Sequence, residues 1–265
     1  MGAYYNEIDP EKAEWIRELI KAGVVAPGDV DERDIKLVQP DDLRGYRQCH
    51  FFAGIAVWSY ALRLAGWPDD REVWTGSCPC PSFSLAGEKQ GLDDPRHLWP
   101  DWFRLIRERR PATVFGEQVD SAISFGWLDL VQSDLEAEMY AIGKAVLSSR
   151  YAKGEDERPR LYFVADSGSQ GRERFVPHYC ISRAEETPLT EFGNSGTFGR
   201  LSLDAYIRRL PPRNGTTVSL ERGLLRGYGD AINAQVAKTF IEAYCETREQ
   251  PPSTLVEGLL MEEER

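Results

Sequence analysis

Between Ala3 and Ala165 the chain alternates short apolar runs of strand character with longer stretches of helical period, and this alternation restricts the fold more than any other feature. Ala3-Tyr-Tyr-Asn-Glu7 reads as a strand ending in a carboxylate. Pro10 to Gly23 places Ala13, Ile16, Leu19 and Ile20 among charges, with proline at the start and glycine at the end, the marks of an amphipathic helix. Gly28-Asp29-Val30 closes a second strand, and turn-forming residues from Asp31 to Arg47 lead to a third, Gln48 to Phe52. A helix over Val57 to Ala65 closed by Gly66, a strand over Glu72 to Thr75 and a proline-rich loop from Gly76 to Gly87 follow. The pattern continues with a helix from Leu98 to Arg109, a strand at Ala112 to Phe115, a helix and strand through Leu128 to Ser148, and a strand at Arg160 to Ala165. Parallel neighbours need a crossover of helix length, so the expectation is an α/β fold with a parallel sheet covered by helices on both faces.

From Asp166 to Arg226 the periodicity gives way to Gly, Ser, Pro, Arg and Thr, which predicts an irregular lobe. A last helix is expected over Ala231 to Tyr244, and a mobile tail over 251–265. The implied division is a core of 1–165 with 227–250, a small region at 166–226 and the tail. Trp58, Trp99 and Trp102 lie on predicted helices and are expected in the core, as are His50 and His97 in structural roles.

No apolar run approaches the roughly 18 residues of a membrane span. The first residues lack a secretion signal, so a cytoplasmic protein of a bacterial or phage-infected cell, monomeric and away from membranes, is expected. Five cysteines at irregular spacing are no disulfide framework, and Cys78-Pro-Cys80 lacks the second pair of a zinc site, so no metal is expected. The net charge of −11 argues against a general nucleic-acid binder. Charge is a whole-chain sum, however: some of the acid stands in runs that a DNA groove need not include, such as Asp31-Glu-Arg-Asp34 and Met261-Glu-Glu-Glu-Arg265, and basic clusters stand at Arg208 to Arg213 and Arg222 to Arg226.

Cys78-Pro-Cys-Pro-Ser-Phe-Ser84 resembles the Pro-Cys-Gln-x-Phe-Ser loop of DNA cytosine-5 methyltransferases, with Cys80 in the place of the nucleophile. Four further blocks match that family. Phe52-Ala-Gly54 resembles its Phe-x-Gly loop, Gly116-Glu-Gln-Val119 its Glu-Asn-Val block, Arg158-Pro-Arg160-Leu-Tyr162 its Gln-x-Arg-x-Arg block, and Gly227-Tyr-Gly-Asp-Ala-Ile232 its closing Gly-Asn-Ala-Val block. In the family the ribose and adenine blocks lie between the first block and the nucleophile loop. Here their counterparts, Asn6-Glu-Ile-Asp9 and Gly28-Asp-Val30, come first. The resemblance therefore implies a class I S-adenosylmethionine-dependent methyltransferase (Rossmann-like) fold, circularly permuted as in short phage enzymes, with 166–226 as a small target-recognition lobe. If the family's sheet order 3-2-1-4 is kept, the helix Val57 to Ala65 crosses between neighbouring strands, and 31–47 carries the chain past one strand.

The resemblance also implies roles. Cys80 attacks carbon 6 of a cytosine flipped out of double-stranded DNA, Glu117 protonates ring nitrogen 3, Arg158 and Arg160 steady the carbon 2 carbonyl, and a methyl group passes from S-adenosylmethionine to carbon 5. Glu7 accepts from the ribose hydroxyls, Ile8 and Val30 sandwich the adenine, and Asp29 accepts from its amino group. Phe52, Ala53, Gly54, Ile55, Ala56 and Val57 line the methionine end, with Leu98, Asp230 and Ala231 completing the cofactor contacts. Ser82, Ser84, Arg172, Arg174 and Arg200 are the expected DNA contacts.

The chain departs from the family where Ala56-Val57 replace two glycines, Pro81 replaces Gln, Gln118 replaces Asn and Asp230 replaces Asn. These changes cluster near the transferred group. They keep open the same chemistry with an altered S-adenosyl donor or a modified cytosine, because Val57 and Asp230 would change volume and charge there. A catalytically silent DNA-binding relative is the alternative of another class, and retention of both Cys80 and Glu117 speaks against it. A dinucleotide enzyme lacks its G-x-G-x-x-G.

Overall fold

Tyr4 and Tyr5 are neighbours in the first strand, point to opposite faces of the sheet and enter two separate cores. The computed structural model describes residues 2–79, 97–148, 159–169 and 232–249. In chain order the elements are β1 (Ala3–Asn6), α1 (Pro10–Lys21), β2 (Gly28–Asp31), β3 (Gln48–Phe51), α2 (Val57–Leu64), β4 (Val73–Gly76), α3 (Trp99–Arg109), β5 (Thr113–Val119), α4 (Trp127–Ala137), β6 (Ala141–Leu147), β7 (Arg160–Asp166) and α5 (Ala234–Glu249). Among the described residues no helix is long and apolar enough to cross a membrane.

The strands of the described residues form one seven-stranded sheet in the order β2-β1-β3-β4-β5-β7-β6. The first five are parallel, so the order β2-β1-β3-β4 is the 3-2-1-4 arrangement the resemblance implied. The expectation of a wholly parallel sheet is corrected at the other end. There β7 runs antiparallel between β5 and β6, paired with each over its full seven-residue length. β7 is buried on both faces, and an apolar run of that kind carries no record of strand direction.

Each face is covered by helices. Residues of α1, α2 and α5 pack with Tyr5, Phe115 and Tyr162 on one side. On the other, Trp99 and Trp102 of α3 and Trp127 of α4 pack with Tyr4, Phe51, Trp74 and Phe163. Trp58, Trp99 and Trp102 are core residues as expected. His50 is fully buried between Thr75 and Gln48, stacked on Tyr5, and burial lowers its pKa to about 3, so it is neutral and structural. The last helix starts at Ala234 rather than Ala231, because the Asn233 side chain accepts from the amides of Gln235 and Val236 and caps it there.

One crossover has an unusual hand. α1 carries the chain from β1 to β2, toward one edge of the sheet, and α2 carries it from β3 to β4, toward the other, yet both cover the same face. α3 and α4 move the chain in the same direction as α2 but over the opposite face. The β3–α2–β4 unit is thus opposite in hand to its neighbours. Since about 98% of parallel crossovers are right-handed, it is the left-handed one.

Candidate functional site

The parallel strands end in register: Asp31 pairs with Asn6, Asn6 with Phe51, Phe51 with Gly76 and Gly76 with Gly116. The residues one step further, Glu7, Phe52, Ser77 and Glu117, therefore line one edge of the sheet. A cleft outside the carboxyl ends of parallel strands is where ligands of such sheets bind.

On the β1 side, Glu7 is buried. Its Oε1 accepts from the Asp9 N–H at 3.0 Å and its Oε2 from the Gly54 N–H at 2.7 Å. Burial raises its pKa, and those two bonds oppose the rise. Asp9 then caps α1 by accepting from the amides of Glu11 and Lys12. Ile8 between them is 62% exposed, an apolar side chain held open at the cleft. The loop into α2 uses left-handed backbone at Phe52 (φ 52°), Gly54 (φ 58°) and Ala56 (φ 59°). It aims the first turn of α2 at the cleft, and such an N-terminus attracts anions. Ala56, the residue before α2, and Val57, its first residue, are buried in the core, so the volume they add over glycine lies there. Ile55 is buried with them, and Ala53 is partly so.

Asp29 and Val30 do not end β2, which runs on to Asp31. Asp29 is exposed and accepts from the Tyr46 hydroxyl at 2.7 Å, while Val30 is half-buried against the core. Sequence reading passed over Asp31. Its carboxylate accepts from the Tyr4 hydroxyl at 2.7 Å and from Arg33 at 2.6 Å. Burial pushes its pKa up, but the bonds from Arg33 and Tyr4 hold it below the ordinary value. In the sequence Asp31 stands among neighbouring acids, and the β1–β2 register is what sets it apart.

On the β5 side, Glu117 is buried on the strand itself, and Arg160 Nε lies 3.1 Å from its Oε1. Antiparallel pairing sets Glu117 opposite Tyr162 and Val119 opposite Arg160, so acid and base meet diagonally on one face. The neighbouring Gln118 is the second residue whose role was missed. Its Nε2 donates to the Cys78 carbonyl at 3.1 Å, and its Oε1 accepts from the Val119 N–H at 2.9 Å. The departure from Asn is the available signal, since this side chain reaches from β5 to the residues after β4. Beneath this region aromatic rings lie on two glycines. A Cβ at Gly76 would stand 2.6 Å from Trp102 and one at Gly116 would stand 2.1 Å from Phe163. Leu98 precedes α3 and packs on the same core, as does Phe52, edge-on to Trp102.

Cys80, Ser82, Ser84, Arg158, Arg172, Arg174, Arg200, Asp230 and Ala231 lie outside the described residues. The structure thus gathers Glu7, Ile8, the 52–57 loop, Glu117 and Arg160 along one sheet edge. The described part of the nucleophile loop, Ser77 to Pro79, follows β4 there, with Ser77 Oγ bonded to Trp58 Nε1 at 3.1 Å. Among the described residues no group of three or more His, Cys, Asp or Glu could hold a metal ion.

A family model described as C-5 cytosine-specific DNA methylase matches residues 61–205, more than half of the chain. The type II methyltransferase M.HgiCII of Herpetosiphon aurantiacus is 31% identical over 186 residues, covering 55% of this chain and 42% of its own length. M.NgoMIV of Neisseria gonorrhoeae is 41% identical over 100 residues, covering 37% of this chain and 32% of its own length. The chain thus spans less than half the length of these relatives. The S. pombe Dnmt2 methyltransferase structure shares the fold, with a TM-score of 0.51 at 11% identity over 94% of this chain and 100% of that one.

Proposed function

The chain belongs to the C-5 cytosine-specific DNA methylase family, and from that membership we propose that it transfers a methyl group from S-adenosylmethionine to carbon 5 of cytosine in double-stranded DNA. The observation that carries this reading is the single row formed by Glu7, Phe52, Ser77 and Glu117 at the strand ends. Glu7 and Glu117 stand in this row with β3 and β4 between them, and Ser77 to Pro79 follow β4, an arrangement that supports a ribose carboxylate at one end and a pyrimidine carboxylate at the other.

The residues fit the cofactor. Glu7 presents a buried carboxylate at the cleft, Ile8 an exposed apolar face for the adenine, and the first turn of α2 N–H groups for a carboxylate. Asp29 and Val30 border the adenine end, and Leu98, Asp230 and Ala231 belong to the methionine end. When bound, S-adenosylmethionine supplies an electrophilic methyl group.

Carbon 5 of cytosine is a weak nucleophile. Cys80 adds its sulfur to carbon 6 as Glu117 delivers a proton to nitrogen 3, and the ring becomes an enamine able to attack through carbon 5. Once carbon 5 carries the methyl group, a base such as a water molecule takes the carbon 5 proton, the carbon 6–sulfur bond breaks to release the Cys80 thiolate, and nitrogen 3 returns its proton to Glu117. Arg160 keeps the Glu117 carboxyl aligned, and Arg158 with Arg160 binds the carbon 2 carbonyl. The base reaches these groups only when flipped, at a cost of about a few kcal/mol. Ser82, Ser84, Arg172, Arg174 and Arg200 hold the DNA, and 166–226 reads its sequence.

The hand of the β3–α2–β4 unit supports a rearranged chain. A chain running from β3 through α2 to β1 would cross the same face toward the other edge and be right-handed. Because β4 to β7 keep their places, the change reads as transposition of one strand–helix unit, narrower than the circular permutation expected from the sequence. A gene rewired to pass from α2 to β1 should yield a folded protein that binds cofactor. Failure of every such linker design would count against a rearranged origin.

The decisive experiment is incubation of the protein and its Cys80→Ala variant with mixed-sequence duplex DNA and labelled S-adenosylmethionine, read by nucleoside mass spectrometry. 5-Methylcytosine made by the parent and not by the variant is the expected result. Cofactor binding with no modified cytosine would overturn the reading. A mass gain other than one methyl would instead favour the altered-donor alternative, from which the burial of Val57 removes one support.

A further inference from the structure

The loop joining β3 to α2 adopts a conformation that its residues resist. Phe52 and Ala56 both have positive φ, and left-handed backbone costs a non-glycine residue about 1–2 kcal/mol. Three hydrogen bonds hold the loop there: Ala53 N–H to the Asn6 carbonyl at 3.0 Å, Ala56 N–H to the Ala53 carbonyl at 2.8 Å, and Gly54 N–H to Glu7 Oε2 at 2.7 Å. Of these three, only the last involves a side chain. It is also the shortest, and it is charge-assisted and part-buried.

We propose that Glu7 is a positioning residue for the 52–56 loop as well as the ribose ligand, so that one carboxylate reads both the adenosine and the methionine ends of the cofactor. This rests on the cofactor reading above. Glu7 is suited to the task because each of its oxygens already accepts one backbone N–H, from Asp9 on the β1 side and from Gly54 on the β3 side. Each oxygen keeps lone-pair capacity for a ribose hydroxyl. The carboxylate therefore ties the turn that starts α1 to the turn that starts α2. A glutamine cannot replace it, because whichever way its amide is turned, an NH2 faces one of the two N–H donors.

The test compares two ligands and two variants by calorimetry. Adenosine contacts the Glu7 side alone, whereas S-adenosylhomocysteine also needs the loop and the first turn of α2. Glu7→Gln should weaken adenosine by about tenfold and S-adenosylhomocysteine by about a further tenfold. Amide exchange at residues 53–56 in the ligand-free protein should quicken in the same variant. Adding Ala56→Gly to Glu7→Gln should recover part of the S-adenosylhomocysteine loss and none of the adenosine loss, since it relaxes the loop without touching the ribose site. If Glu7→Gln does not fold, Glu7→Asp keeps the charge, shortens the reach and should show the same unequal losses. Equal losses for both ligands with unchanged exchange at 53–56 would overturn the proposal and leave Glu7 a ribose ligand only. If the parent protein binds neither ligand, the cofactor reading itself fails.

Discussion

On the β1 side of the cleft the contacts run through the backbone: Glu7 accepts from two amides, three residues of the 52–56 loop take left-handed geometry, and α2 offers its first turn. On the β5 side they run through side chains. Arg160 pairs with Glu117, Gln118 reaches the Cys78 carbonyl, and two rings lie on two glycines. A site built on backbone depends on local conformation, which a few consecutive residues specify. A site built on side chains depends on strand register, which residues far apart specify together. The two sides should therefore fail differently when changed.

The largest separation is expected from Glu117→Gln. Removing an acid placed to protonate the base should lower turnover by about 10²–10⁴-fold, while S-adenosylhomocysteine affinity, set on the other side, stays unchanged. Single-turnover kinetics and calorimetry on one preparation decide this. A matching loss of cofactor affinity would mean that the two sides are not independent.

Next in size is Gly116→Val. Its Cβ would lie 2.1 Å from the Phe163 ring, and overpacking of this kind costs about 1–3 kcal/mol or more. Urea unfolding should show the loss, and Phe163→Leu in the same chain should return part of it, a non-additivity expected of residues in contact. Additive losses would mean that the ring is not what excludes a side chain at 116.

This contrast also explains what could be read from the sequence. Glu7, Ile8 and 52–54 were legible because each is a short run at a strand end, and the two strand–helix alternations around them fix its place. Glu117 and Arg160 were each legible by resemblance, but their pairing was not, because it follows from β7 entering antiparallel beside β5. The roles of Gln118 and Asp31 were hidden for the same reason, since one bonds across from β5 to the residues after β4 and the other is placed by the β1–β2 register. The hand of the α2 crossover was likewise invisible, as periodicity reveals that a helix is amphipathic and not which face of the sheet it covers.

Acidity offers a third comparison. Burial raises the Glu7 pKa above 4.5. On acidification the carboxylate that accepts from ribose and loop is therefore lost at a higher pH than an exposed glutamate's would be. S-adenosylhomocysteine affinity should then fall by about tenfold for each pH unit below the raised pKa. The sign for folding is opposite: a carboxyl that binds its proton more tightly when folded adds stability at low pH and loses it as pH rises through that pKa. Calorimetry and urea unfolding across pH 4 to 7 should therefore trend in opposite directions for this one group, read as the difference between the parent and Glu7→Gln, which lacks it. Parallel trends would mean that the affinity loss is a loss of fold.

The smallest effect tests the backbone argument most directly. Ala56 is held at φ 59°, where glycine carries no steric cost, so Ala56→Gly relieves about 1 kcal/mol of local strain. The same change removes a buried methyl group, which costs about 0.8 kcal/mol, so thermal stability should barely move. What should change is the loop: with less strain to oppose, residues 53–56 should exchange their amides more slowly in the ligand-free protein. A clear loss of stability together with faster exchange would show instead that the packing of the Ala56 methyl holds the loop. The β1 side would then rest on side chains as the β5 side does.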